Sequence, residues 1–257
     1  MKLGICTAAD ALSALPEGLD YIEESVGGAL CPRQDEAAFE AALAKCAAAV
    51  APVIAANCFI PGDLKSTGPD VDGAALDEYI WTVFSRAQRV GIKIIVFGSG
   101  GSRGVPDGFD KAAAFDQLTA HLKRWGPIAD VCGVTIVIEP LQVAECNIIN
   151  TVTEGADLAR AVNHPNVRVL ADFYHMACDG ESPDTIRQAG DLLQHCHTAE
   201  KQERTAPGAA GDDFRPVLKA LKDIGYDGAI SLECGWGDMQ AEAPASLAEF
   251  RRQWDEA

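Results

Sequence analysis

Four short apolar runs in the second half of the chain each end in, or carry, a residue that can bind a cation or move a proton. Ile136-Val-Ile-Glu139-Pro140 places a carboxylate after three aliphatic residues, and Val169-Leu-Ala-Asp172 places another, followed by Phe173-Tyr-His175. His195-Cys-His197-Thr-Ala-Glu200 carries two imidazoles two residues apart, and Ile230-Ser-Leu-Glu233 ends in a further acid. Taken singly, an acid at a strand end is a helix cap or an ion-pair partner, and a strand histidine is a satisfied core residue. Taken together, three carboxylates and an imidazole turned towards one axis would repel, and a divalent cation between them removes the conflict. An oxygen-rich set with one imidazole suits Mn²⁺ first, with Mg²⁺, Co²⁺ or Zn²⁺ also admissible. One divalent metal ion on Glu139, Asp172, His197 and Glu233 is therefore expected.

Such a constellation needs elements that bring four strand ends to one place. Eight β-branched, apolar runs are spaced along the chain: Leu3–Thr7, Tyr21–Ser25, Val53–Phe59, Ile92–Phe97, Thr135–Glu139, Val167–Asp172, Leu193–Thr198 and Ala229–Glu233. Several are hydrophobic almost throughout, as strands buried on both faces should be. Between them, helical patterns cover Asp35–Val50, Ala74–Val90, Lys111–Trp125, Thr151–Val162, Asp212–Ile224 and Ala245–Asp255. The third is expected to stop before Gly126-Pro127, and the fourth opens with a capping-box spacing, Thr151 to Glu154. Eight alternating strand–helix units without a break in composition predict an α/β fold, a closed (β/α)8 TIM barrel, as a single domain over 1–257. In that fold the strand C-termini form the active-site face. The Gly-rich piece Phe97-Gly-Ser-Gly-Gly-Ser-Arg103 matches neither phosphate-loop pattern and reads as a tight loop at the barrel mouth.

Composition narrows the partners. The formal net charge of -17 repels polyanions, so neither nucleic acid nor an anionic membrane surface is expected as a partner. Nine cysteines, an odd number without a CxxC pair and mostly in apolar runs, read as reduced core-filling thiols of a cytoplasmic protein. The N-terminal segment has one lysine and no long apolar stretch, so neither a signal peptide nor a membrane helix is expected. A homo-oligomer is compatible with the chain.

The run Glu139-Pro-Leu-Gln-Val-Ala-Glu145-Cys-Asn147-Ile-Ile-Asn150-Thr151, with Asp172-Phe-Tyr-His175, His195-Cys-His197 and Glu233, resembles the xylose isomerase-like sugar-phosphate isomerase/epimerase family, which includes the ketose 3-epimerases. The resemblance extends to Asn57-Cys-Phe-Ile-Pro-Gly62 and to Phe97–Pro106, and so covers essentially the whole chain. It implies Glu139, Asp172, His197 and Glu233 as metal ligands, with Glu139 and Glu233 also catalytic. It implies Glu145 and His175 as contacts to substrate hydroxyls, and Arg204 as a donor to ketose oxygens. The chain departs from the pattern in two places. Gln142-Val143 stands where Asn-Arg is usual, and Arg204 lies one residue further from His197.

The implied activity is a metal-dependent sugar isomerase or epimerase acting on a small sugar or polyol, moving a proton beside a ketose carbonyl through an enediolate. The alternative is a lyase such as an inosose-type dehydratase. An AP endonuclease-type hydrolase fits less well, because the third strand ends Asn57-Cys58-Phe59 with no histidine for a zinc cluster. A non-catalytic sugar-binding barrel would be favoured by an incomplete ligand set, and the set is complete. Arg103 and Arg204 are the basic groups at strand ends, which favours an uncharged ligand. Trp236, just after Glu233, would either stack on a sugar face or pack into the barrel rim.

Overall fold

The computed structural model describes residues 1–257. Eight parallel strands close into one barrel in chain order: β1 (Lys2–Cys6), β2 (Tyr21–Ser25), β3 (Val53–Asn57), β4 (Ile94–Phe97), β5 (Thr135–Ile138), β6 (Val167–Asp172), β7 (Leu193–Thr198) and β8 (Ala229–Leu232). Because β8 pairs with β1, no strand edge is left open. Outside lie α1 (Val26–Leu30), α2 (Glu36–Ala48), α3 (Gly73–Val90), α4 (Gly100–Arg103), α5 (Lys111–Cys132), α6 (Val152–Val162), α7 (Phe173–Asp179), α8 (Asp184–Ala189), α9 (Arg215–Asp223) and α10 (Met239–Glu256). No helix is long and apolar enough to cross a membrane.

Strand alternation divides the buried side chains into two cores. Tyr21, Ala55, Ile94, Val96, Val137, Leu170 and Ala229 fill the barrel interior. The other strand face packs against the helices in a continuous layer that includes Phe59, Phe84, Phe97 and Trp125. Their rings lie 5.6–6.2 Å apart, within range of favourable edge and stacked contacts.

Local sequence sets most helix ends. The side chains of Asp35, Asp72, Asp110, Thr151 and Asp238 accept backbone N–H bonds at the starts of α2, α3, α5, α6 and α10. The capping box of α6 is shifted: Thr151 accepts from the Glu154 N–H, while the Glu154 carboxylate accepts from Asn150 rather than Thr151.

The short helices α1, α4, α7 and α8 were not expected, and three of the six expected helices differ in their bounds. α5 does not stop before Gly126-Pro127 but runs to Cys132 and ends at Gly133, whose φ of 67° closes it. Proline inside a helix costs about 3 kcal/mol, yet Leu118, Leu122, Trp125, Ala129 and Cys132 continue one buried face across it. Burial of large apolar side chains at about 1.5–3 kcal/mol each outweighs that cost. α10 likewise starts at Met239 and passes through Pro244, burying Ala243, Leu247 and Phe250. α9 begins only at Arg215, because Asp212 belongs to a loop gathered around Glu200.

Candidate active site

Four consecutive strand ends deliver the expected residues. Asp172 closes β6, His197 lies beside it in register on β7, and Glu139 and Glu233 directly follow β5 and β8. One ligand atom from each of Glu139, Asp172, His197 and Glu233 lies within 4.8 Å of the others. Above them opens a cavity of about 670 Å³, lined by Asn57, Glu139, Glu145, His175, Arg204 and Glu233 among others. Asp172 and His197 lie below its floor, buried.

The protons on His197 are constrained from one side. Its Nε2 lies 2.9 Å from Glu23 Oε1, so Nε2 carries hydrogen and donates to that carboxylate. Its Nδ1 faces Glu139 Oε1 at 3.2 Å and Glu233 Oε2 at 3.1 Å. A bare lone pair opposite two carboxylate oxygens is repulsive, so a proton or a cation belongs at that point. Burial works against a charged imidazole, but Glu23 and Glu233 overcome it and hold the His197 pKa well above its ordinary value. Burial pushes Glu139 up. Glu233 is pushed up by burial too, but His197 and Arg204 outweigh this and hold it below the ordinary carboxylate range. Three acids and an imidazole nitrogen converging in this way fit a hard-to-borderline divalent cation.

Asp172 satisfies both readings of a strand-end acid. Oδ1 caps α7 by accepting from the Tyr174 N–H at 2.8 Å, while Oδ2 faces Arg204 Nη2 at 3.1 Å and His175 Nε2 at 3.4 Å. His175 is buried and its Nδ1 has no protein partner. Glu145 reaches the cavity from the loop after β5, with Gln142 Nε2 donating to it at 2.8 Å. Val143 is 67% exposed and lies outside the cavity lining.

Arg204 joins the site through an unusual loop. Glu203 and Arg204 both take left-handed backbone angles, φ 55° and 53°. The loop is gathered by fully buried Glu200, whose carboxylate accepts backbone N–H bonds from Gly208, Ala210, Gly211 and Asp212. So held, Arg204 donates to the Glu233 carbonyl through Nε at 3.0 Å and to the Asp172 and Glu233 carboxylates through Nη2. Its guanidinium carbon lies 4.5 Å from the Tyr174 ring centroid.

One expectation requires correction and one open alternative is decided. Arg103 does not face ligand: it is completely buried and donates to the carbonyls of Phe97, Glu139 and Ile149. The second basic residue lining the cavity is instead Arg33, paired with Asp63 at 2.9 Å. Trp236 packs against the outer core and is absent from the cavity lining, which selects the rim-packing reading. The Gly-rich piece is close-packed, as expected, with Gly101 pressed against Gly62, but its second half is the short helix α4 and not a loop. Sequence reasoning overlooked Glu23, although paired acids in an otherwise buried strand, Tyr21-Ile-Glu-Glu-Ser25, were a visible signal. It also gave no role to Asn57, whose Nδ2 donates to Glu233 Oε1.

The family profile described as a xylose isomerase-like TIM barrel matches residues 10–254. A D-psicose 3-epimerase from Ruminiclostridium cellulolyticum is 35% identical over 125 residues, which are 48% of this chain and 42% of that protein. The chain therefore spans less than half the length of that curated relative. The solved structure of D-psicose 3-epimerase with D-tagatose from Clostridium cellulolyticum H10 superposes with a TM-score of 0.83 at 23% identity, covering 99% of each chain. The IOLI protein with a bound zinc atom superposes with a TM-score of 0.73 at 19% identity, covering 100% of this chain and 97% of that one. At these identities the two structures establish a common fold.

Proposed function

The chain belongs to the xylose isomerase-like TIM-barrel family, and from that premise we propose that it is a divalent-metal-dependent sugar epimerase or isomerase acting beside a ketose carbonyl. The observation that carries this reading is the convergence of Glu139, Asp172, His197 and Glu233 on one point at the floor of a polar cavity. Those four residues would hold the ion, His197 through Nδ1, since Nε2 is engaged by Glu23. A divalent ion held there would supply Lewis-acid polarisation of the substrate carbonyl. Mn²⁺ is the first choice for this donor set, and the zinc of the IOLI protein makes Zn²⁺ the second.

Glu139 and Glu233 enter from strands three places apart around the ring and so approach a bound sugar from different sides. One, as carboxylate, removes the proton from the carbon next to the carbonyl, and the electron pair of that C–H bond moves into an enediolate. The other, as carboxylic acid, returns a proton to the opposite face, so the stereocentre inverts and the two glutamates exchange protonation states. Return of the proton to the former carbonyl carbon gives aldose–ketose isomerisation instead. Arg204, His175 and Glu145 supply donors and acceptors for the remaining oxygens. A ketose or related polyol is the substrate class, in keeping with the D-psicose 3-epimerase relative.

The test is proton exchange followed by NMR. Protein loaded with Mg²⁺ is given a panel of ketoses and inososes in D₂O. Loss of the hydrogen beside the carbonyl, dependent on metal and abolished in both Glu139→Gln and Glu233→Gln, is the expected result. Full exchange in either variant would remove the two-glutamate mechanism. Loss of water from an inosose would instead establish a dehydratase.

A further inference from the structure

Below the four metal-set residues lies a second polar layer that the reaction does not use directly. Glu23 on β2 is fully buried, and its carboxylate spans two imidazoles of one strand. Oε2 lies 2.8 Å from His195 Nε2, and Oε1 lies 2.9 Å from His197 Nε2. The Ser231 hydroxyl donates to Oε2 at 2.6 Å and is itself 2.7 Å from the Tyr21 hydroxyl. An ionised carboxylate sealed in a barrel core is costly unless every lone pair is answered, and here three donors answer it. A purely structural filling of that space would need no charge at all.

We propose that Glu23 is a positioning residue for the metal centre, fixing the His197 ring so that Nε2 carries the proton and the Nδ1 lone pair is free for a cation at the point where Glu139, Asp172 and Glu233 converge. The inference rests on His197 acting as a metal ligand. Each ring nitrogen of a ligating histidine has one task, and the hydrogen bond made by the distal nitrogen decides which atom meets the metal. His195 is the other arm of the brace: bridging both rings of β7 from β2, Glu23 ties the depth of His197 in the barrel to a strand three places away. A glutamine at this position keeps the volume but presents one oxygen and one NH₂ to two N–H donors. One of the two imidazoles must then switch tautomer or rotate.

The experiment measures Mn²⁺ affinity of wild type, Glu23→Gln and Glu23→Asp by competition with a fluorescent chelator. Alongside it, the imidazole ¹⁵N shifts are recorded for histidine-labelled protein with Zn²⁺; the chain has five histidines, few enough to assign. In wild type, His197 is expected to show a metal-bound Nδ1 and a protonated Nε2. In Glu23→Gln, affinity is expected to fall roughly 10- to 100-fold and the His197 signature to change. Glu23→Asp keeps the charge but withdraws it by one methylene, so it cannot span both rings. It is read the same way if the glutamine variant does not fold. Affinity within twofold of wild type, with unchanged His197 shifts, would overturn the role of Glu23 alone. Failure of the wild type to bind either metal would overturn the metal reading and this role with it.

Discussion

Asn57 Nδ2 donates to Glu233 Oε1 at 2.9 Å, joining the end of β3 to the end of β8 across the mouth of the barrel. The bond occupies one carboxylate oxygen and leaves Oε2 to face His197 Nδ1 and Arg204. Asn57 therefore fixes which oxygen of Glu233 turns towards His197 and Arg204, without being charged itself.

Asn57→Ala is expected to lower kcat/KM for ketose proton exchange by about 10- to 100-fold, the usual effect of removing a hydrogen bond behind a metal ligand. Asn57→Asp should lose more, because a further carboxylate would stand 2.9 Å or so from Glu233 with no hydrogen to donate. Equal rates for the two variants, read from deuterium wash-in, would show that Asn57 contributes space and not orientation.

Gly98 bears on Glu139 in a different way. A Cβ placed at Gly98 would lie 2.1 Å from Glu139 Oε2, so the carboxylate must turn aside to admit it. The obstructed atom is the end of a side chain, so Gly98→Ala should fold with little change in melting temperature. Its turnover, by contrast, should drop by on the order of 100-fold, the penalty typical of a catalytic group misplaced by about 1 Å. Calorimetric titration with Mn²⁺ should show weaker binding in the same variant, and unchanged affinity with unchanged rate would contradict the contact.

Arg103 predicts the opposite balance, stability before chemistry. Its guanidinium donates to the carbonyls of Phe97 and Glu139 at 2.7 Å each and of Ile149 at 3.3 Å, in a completely buried position. Arg103→Met would leave the Glu139 carbonyl without this donor, while the Phe97 and Ile149 carbonyls keep the backbone N–H groups of Glu139 and Leu141, and should destabilise the protein by about 1–3 kcal/mol. Urea unfolding monitored by circular dichroism measures this. Arg103→Lys should recover only part of the loss, since an ammonium cannot reproduce the planar fork. A midpoint unchanged from wild type in Arg103→Met would refute the clamp.

Much of the architecture was legible because it is written in local chemistry. Apolar runs such as Ile136–Ile138 and Val169–Ala171 announce strands buried on both faces, and Asp72 or Thr151 announces a helix start. Glu139, Asp172 and Glu233 were legible for the same reason, each standing where an apolar run ends, and His197 by its place near the end of the strand between the last two. The misreading at Pro127 shows the boundary of that approach. Local propensity disfavours the helix there, and only packing of Trp125, Ala129 and Cys132 against the barrel sustains it.

The sequence by itself determined that eight strands alternate with helices and that four polar residues stand at four successive strand ends. Period and composition are properties of neighbouring residues and survive without a fold. Only the tertiary structure decided which buried polar groups meet. Glu23 and His195 are 172 positions apart and Asn57 and Glu233 are 176 apart, and each pair touches because closure of β8 on β1 brings the two ends of the chain of strands together. The same closure turns Arg103 inward to carbonyls rather than to ligand, and folds the Glu200 loop so that Arg204 reaches Asp172 and Glu233. Hydrogen bonds of this kind act over about 3 Å, so a residue's type gives its capacity to form one while only the folded chain gives its partner.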